Sequence, residues 1–240
     1  MNKIRSTLLA AAAGLAFIGG AQAATVSIEF APGTLHNASA ISATEVSSAA
    51  MAGMAVTMCF VGVACDNPTT WGTGLTGATG QGWSFAAGID TFNSNFVLSV
   101  SGRALQSFTL YGLGALTVFD TVAESPSVQS SPGSGNGRPF QVESVERTVE
   151  RLAVTYFDKV YVDGFDYNDL YLGMRVSFNM FPGTTGFMGE LEFKADTDRV
   201  ATGGTLAPIP TTPPNGVPTP GTLALVGAGL LGLGLVRRRR

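Results

Sequence analysis

The sequence predicts an all-β fold: a single antiparallel β-sandwich of jelly-roll-like form, with an N-terminal signal helix before it and a short C-terminal hydrophobic helix after it. Three observations predict it. Apolar and polar side chains alternate with period two in run after run of the interior, as in strands that pack one face and solvate the other. Glycine and proline, 31 and 12 of the 240 residues, separate those runs at the spacing of sandwich turns. Two membrane-directed segments stand at opposite ends of the chain, with none between.

The first segment has the three parts of a secretory signal. Lys3 and Arg5 are basic, Leu8–Ile18 is apolar, and Ala21-Gln22-Ala23 is a small-x-small cleavage site. Residues 1–23 are expected to be removed, so that the mature chain begins at Ala24. The sandwich is expected over 24–200. Val26, Ile28 and Phe30 alternate with Thr25, Ser27 and Glu29 in its first strand. Residues 38–54 carry only a weak pattern and read as a short helix or a loop. Val56, Met58 and Phe60 then alternate into Cys59-Phe60-Val61-Gly62-Val63-Ala64-Cys65. A three-residue hairpin loop over Val61–Val63 would set Cys59 opposite Cys65, so a disulfide is expected; the alternative is two buried thiols. Phe96, Leu98 and Val100 form the next clear strand, and the clearest runs through Leu172, Met174, Val176, Phe178 and Met180. Leu191, Phe193 and Ala195 close the body, with Glu190, Glu192, Lys194 and Asp196 on the polar side. Ser125–Pro139 is rich in Ser, Gly and Pro and is expected to be an exposed loop. Residues 201–216 read as a Pro/Gly-rich linker.

The second segment occupies 217–240. Val217-Pro218-Thr219-Pro220 leads into an uncharged run, Gly221–Val236, and then Arg237, Arg238, Arg239 and Arg240. As a helix that run would span roughly 24 Å at about 1.5 Å per residue, short for a hydrocarbon core of about 30 Å. The arginine cluster would hold the C-terminus on the cytoplasmic side.

Charge narrows the partners. The chain has 14 Lys and Arg against 17 Asp and Glu, and six of the basic residues lie in the two end segments, so the body has 8 basic and 17 acidic residues, a net −9. That argues against nucleic acid or anionic lipid. No catalytic constellation emerges. His36 is the one histidine, it lies in Gly33-Thr34-Leu35-His36-Asn37, and no Gly-x-Ser-x-Gly elbow accompanies it. It reads as a structural histidine, hydrogen-bonded or exposed. The chain is therefore expected not to be an enzyme, and no cofactor is called for. The one ion for which residues suggest a place is Ca²⁺: Asp163, Asp166, Asn168 and Asp169 offer hard oxygens around Gly164, against the alternative of a solvated turn. Asp196 and Asp198 form a second, weaker candidate. Trp71, Trp83, Tyr156, Tyr161, Tyr167 and Tyr171 could stack on sugar rings or fill a core.

The 217–240 segment resembles the PEP-CTERM sorting signal of Gram-negative bacteria, which joins a Pro-Glu-Pro motif, a short apolar helix and terminal arginines. Thr219 stands where that family usually has Glu. The resemblance implies an exosortase, a membrane cysteine transpeptidase, as partner, and transient anchoring in the inner membrane before release to the outer surface. The body is similar to that of several exported PEP-CTERM proteins through Met54–Thr57, Trp71, Gly82-Trp83-Ser84, Asp90-Thr91-Phe92, Val118-Phe119-Asp120, Pro132-Gly133-Ser134, Gly137–Phe140 and Phe193–Asp198. What this implies is a non-catalytic protein of the cell envelope or extracellular matrix, associated with exopolysaccharide and biofilm. A carbohydrate-binding module is the alternative, and a secreted hydrolase a more remote one.

Overall fold

The computed structural model describes residues 24–31, 33–42, 47–73, 77–122 and 130–210. The expected signal helix, with Ala21 and Ala23, and the sorting segment, with Val217–Pro220, its helix and its arginines, lie outside the described residues. Among the described residues no helix is long and apolar enough to cross a membrane.

The regular structure of the described residues is almost all strand. In order the strands are β1 (Thr25–Phe30), β2 (His36–Ala38), β3 (Ile41–Ser42), β4 (Ala55–Phe60), β5 (Thr69–Thr70), β6 (Ala78–Gly80), β7 (Trp83–Ala87), β8 (Phe96–Tyr111), β9 (Thr117–Asp120), β10 (Gln141–Val145), β11 (Val149–Val162), β12 (Leu170–Met180), β13 (Phe187–Lys194), β14 (Asp196–Val200) and β15 (Leu206–Pro208). Only two single turns of 3₁₀ helix interrupt them, Ser48–Met51 and Leu113–Ala115. The 38–54 segment is thus split between β2, β3 and the first of these turns, with no α-helix among its described residues.

All fifteen strands are hydrogen-bonded into one curled sheet, ordered β10-β13-β8-β12-β11-β2-β15 along its main path. The long strands make the curl. The first half of β8 lies between β7 and β13, and its second half lies between β4 and β12. The handover falls at Ser101–Ala104, where Gly102 takes φ of +77°, a conformation that costs glycine little. A strand shared in this way lets one sheet cover both sides of a core. The pairing is mainly antiparallel, but β1 and β2 run parallel to β11. Parallel neighbours need a long crossover, and here more than a hundred residues separate each pair, so nothing in the local sequence announces them.

The expected alternation holds where strands cover the core. Val56, Met58, Phe60, Phe96, Leu98, Val100, Met174, Val176, Phe178, Leu191 and Phe193 are all buried. Aromatic rings dominate the centre: Phe193 stacks on Phe96 at 5.0 Å and on Phe140 at 4.6 Å, and Phe178 stacks on Phe187 at 4.5 Å. Burying such rings contributes about 1.5–3 kcal/mol each from area alone. A smaller apolar cluster, including Ile41, Val118, Val160, Leu170 and Leu172, lies beside it. β1 departs from expectation, since Ile28 and Phe30 are 38% and 49% exposed. The strand lies on the sheet margin, bonded only to β11, although the Phe30 ring still reaches Tyr156 and Tyr171.

Three further departures concern the body's outline. The sheet continues beyond Val200, because the chain turns back and β15 pairs with β2. Asp196 is buried, not solvated. At Ala195 the chain leaves β8 and β10, the neighbours of β13, and joins β9 instead, so the alternation read through β13 does not carry into β14. The described part of the Ser125–Pro139 loop folds inward, with Ser130, Ser131 and Ser134 buried.

Candidate functional site

The described end of the loop turns inward, where Ser131 donates to a buried carboxylate. β9 lies between β12 and β14, with Asp120 opposite Asp196 on one side and Leu170 on the other. Asp169 immediately precedes β12, and Asp198 follows Asp196 by two residues on the same face of β14. Three adjacent strands thus bring Asp120, Asp169, Asp196 and Asp198 together, each at most 6% exposed.

Their hydrogen bonds are unequal. Asp169 is fully satisfied: the Ser131 backbone N–H donates to Oδ2 and the Ser131 hydroxyl to Oδ1, the latter at 2.7 Å. Asp196 Oδ1 accepts from the Thr197 N–H at 2.9 Å. Asp120 Oδ1 accepts from the Val122 N–H at 3.1 Å. Among the described residues, Asp120 Oδ2 and Asp198 Oδ2 are buried and have no hydrogen-bond partner. Arg138 ties the cluster together through its backbone, donating its N–H to the Asp120 carbonyl and accepting from the Asp196 N–H. Its guanidinium lies over the Phe92 ring, 4.3 Å from the centroid, and exerts a lowering pull on Asp196. Gly137 lies flush against Asp120, where a Cβ would come within 2.0 Å of Oδ1.

Burial is the main force on these groups. It pushes Asp198 up to about 9, helped by repulsion from Asp196, Asp120 and Asp169. It pushes Asp120 up to about 7, with repulsion from Asp169 and Asp196 adding to it and the Val122 N–H and the nearby Ser134 hydroxyl pulling the other way. It pushes Asp196 up to about 6, against the Thr197 hydrogen bond. A cavity of roughly 200 Å³ opens over Asp196 and Asp198, lined also by Asp90, Asn93, Ser134 and Asn136 among others. At its side, Asp90 caps its own turn by accepting from the Phe92 N–H at 2.9 Å. Five of the body segments quoted above, Asp90–Phe92, Val118–Asp120, Pro132–Ser134, Gly137–Phe140 and Phe193–Asp198, meet here.

The sequence's first candidate for Ca²⁺ is not brought together. Asp166 and Asn168 both accept from the Lys159 ammonium, Asp166 at 3.0 Å, so a cation already occupies that position. Asp166 also accepts from the Asn168 N–H. Asp163 stays in the exposed turn with φ of +50°, and Asp169 points the other way, into the aspartate cluster. The reason is strand geometry: Asp169 lies at the entrance to β12 and shares its burial, whereas the preceding residues remain in the turn. Among the described residues, no group of three or more His, Cys, Asp or Glu side chains is placed to hold a metal ion.

Other expectations resolve individually. Cys59 and Cys65 are joined in a disulfide. Gly62 takes φ of +77° in the turn, and the Asp66 N–H returns to the Met58 carbonyl at 2.8 Å. His36 is not exposed: it is buried in β2, both ring nitrogens lack a hydrogen-bond partner among the described residues, and burial lowers its pKa. Trp71, Trp83, Tyr156 and Tyr171 are buried, so their rings do not form a sugar-stacking platform. Trp71 fixes its indole N–H on the Ser48 carbonyl at 2.9 Å. Ala24, the expected first mature residue, packs against the main core.

Asp120 and Asp90 are the residues that sequence reasoning missed. The only local signal for Asp120 is an aspartate closing the apolar strand Thr117-Val118-Phe119, and that pattern also fits an ordinary strand end. Compared with known proteins, the chain matches no family model, no curated protein and no solved structure.

Proposed function

We propose that this chain is an exported, non-catalytic protein of the cell envelope or extracellular matrix, delivered by an exosortase-type route and associated with exopolysaccharide in biofilm. The observation that carries the reading is the Cys59–Cys65 disulfide, which uses both cysteines of a chain that begins with a signal-like segment and ends with a sorting-like one. Disulfides persist in oxidising compartments and are rare in a reducing cytosol, so the bond agrees with export. The acidic, strand-built body agrees with a soluble domain outside the membrane. The test is the intact mass of the protein recovered from the cell surface. The expected mass corresponds to a chain beginning at Ala24, cut near Val217–Pro220, with its disulfide formed. A surface form that retains Arg237–Arg240 would replace the exosortase step with a plain membrane anchor.

A second reading, a carbohydrate-binding module, has one observation in its favour. A groove over β7, β8 and β13 presents Ser84, Ser99, Ser101 and Glu190. Polar donors and acceptors in a shallow groove suit a saccharide held by hydrogen bonds rather than by stacking. Affinity electrophoresis through gels containing the producing cells' own exopolysaccharide tests it. Retardation that is lost in Glu190→Ala favours the module; equal mobility with and without polysaccharide removes it.

A further inference from the structure

We propose that the buried aspartates where β9 and β14 meet form a site for one Ca²⁺-like divalent cation, with Asp120 and Asp198 as its charged ligands. Acidic residues alone would not support this. The observation that does is the pair of orphaned oxygens. Both oxygens of Asp169 accept from Ser131, and Asp196 is engaged by Thr197 and drawn by Arg138. Among the described residues, Asp120 Oδ2 and Asp198 Oδ2 are left buried and accept no hydrogen bond. Leaving one buried acceptor unmade costs about 1–3 kcal/mol, and more when the group is charged. No basic group is among the causes acting on Asp120 or Asp198, so these carboxyls are balanced either by their own protons or by a cation that enters from outside the described residues, and the two cases are what the experiment separates.

The chemistry of the surroundings selects the ion. The polar side chains lining the cavity are carboxylates, hydroxyls and the amides of Asn93 and Asn136, with no imidazole or thiolate among them. Hard oxygen donors favour Ca²⁺ or Mg²⁺ over zinc or copper. Ca²⁺ accepts six to eight oxygens in irregular arrangements, whereas Mg²⁺ demands near-octahedral geometry, and a site framed by strand ends and a serine-rich loop is irregular. Since no three acidic side chains are placed to enclose a metal, neutral oxygens and water must complete the shell. The cavity over Asp196 and Asp198 gives the ion a path from solvent. The proposal holds wherever the protein resides and does not depend on the route of export.

The full-length protein, stripped with chelator, is titrated with calcium by calorimetry at physiological salt, and its melting is compared in millimolar Ca²⁺, millimolar Mg²⁺ and chelator. We expect one Ca²⁺ per chain and a rise in melting temperature of about 5 °C, with a smaller effect of Mg²⁺. Asp120→Asn and Asp198→Asn should each abolish the binding, while Asp166→Asn should keep it. If the asparagine variants do not fold, hydrogen exchange on the unaltered protein decides, since Ca²⁺ should slow exchange at residues 118–122, 130–138 and 196–199. Protection centred on 163–168, calcium binding that survives both asparagine variants, or identical melting in calcium and chelator would each overturn the proposal. A melting temperature that ignores calcium but climbs on acidification would assign protons, not a metal, to the two oxygens.

Discussion

At Asp198, burial and three neighbouring carboxylates act in the same direction, and the consequence is a pH dependence opposite to that of most aspartates. In the unfolded chain an aspartate ionises near pH 4, at about its reference value of 3.9. In the fold, Asp198 keeps its proton up to about 9, Asp120 up to about 7 and Asp196 up to about 6. Between those limits the folded state binds more protons than the unfolded one, so stability falls as pH rises. Each group contributes a slope of at most about 1.4 kcal/mol per pH unit. In chelator, urea midpoints should therefore fall from about pH 5 towards about pH 9, and Asp198→Asn should flatten that decline. A midpoint that rises over the same range would show that the cluster is ionised throughout. Gly137 belongs to the same site. Its missing Cβ would lie 2.0 Å from Asp120 Oδ1 and 2.8 Å from the Asp120 carbonyl carbon. Gly137→Ala should cost about 1–3 kcal/mol, read as a lower urea midpoint with an unchanged m value.

Among the elements, β13 and the β4 turn show how differently two features of the same sheet are held. Phe193 on β13 is fully buried against Phe96, Phe108 and Phe140, so its removal leaves a cavity as well as lost contacts. Phe193→Ala should cost about 3–5 kcal/mol in equilibrium unfolding. The Cys59–Cys65 bond closes a loop of only a few residues, and the loop-entropy estimate gives it about 2 kcal/mol. Replacing both cysteines with serine should lower the melting temperature by several degrees while leaving the far-ultraviolet spectrum unchanged. Stoichiometric labelling of the native, unreduced protein by a thiol reagent would show instead that the bond is not formed. Both elements were legible in sequence, because alternation and a glycine-centred turn are local signals. β1 and β15 were less so. Their partners, β11 and β2, lie far away in the chain, and pairing at that range leaves no mark on the residues themselves.

For the molecule as a whole, the boundary of the body is the feature most exposed to test. β15 pairs with β2, and Leu206 packs against the smaller apolar cluster. A chain ending at Pro210 should therefore melt above one ending at Val200, by an amount equivalent to about 1–2 kcal/mol for the apolar surface it covers. Equal melting of the two would mean that β15 adds nothing to the fold. By itself the sequence determined the all-β class, the core faces of β4, β8, β12 and β13, and the cysteine pair. Each depends on residues within a few positions of one another, and a side-chain period of two is a property of the strand alone. Tertiary structure alone decided the rest. It bent β8 so that one sheet wraps the core, carried Asp196 to a new neighbour after Ala195, and turned Ser131, at the described end of a polar loop, inward to serve Asp169. Composition gives a residue's average preference for water, whereas burial depends on which distant strand arrives beside it. Four aspartates spread over 79 residues, from Asp120 to Asp198, become one site only when β9, β12 and β14 are laid side by side.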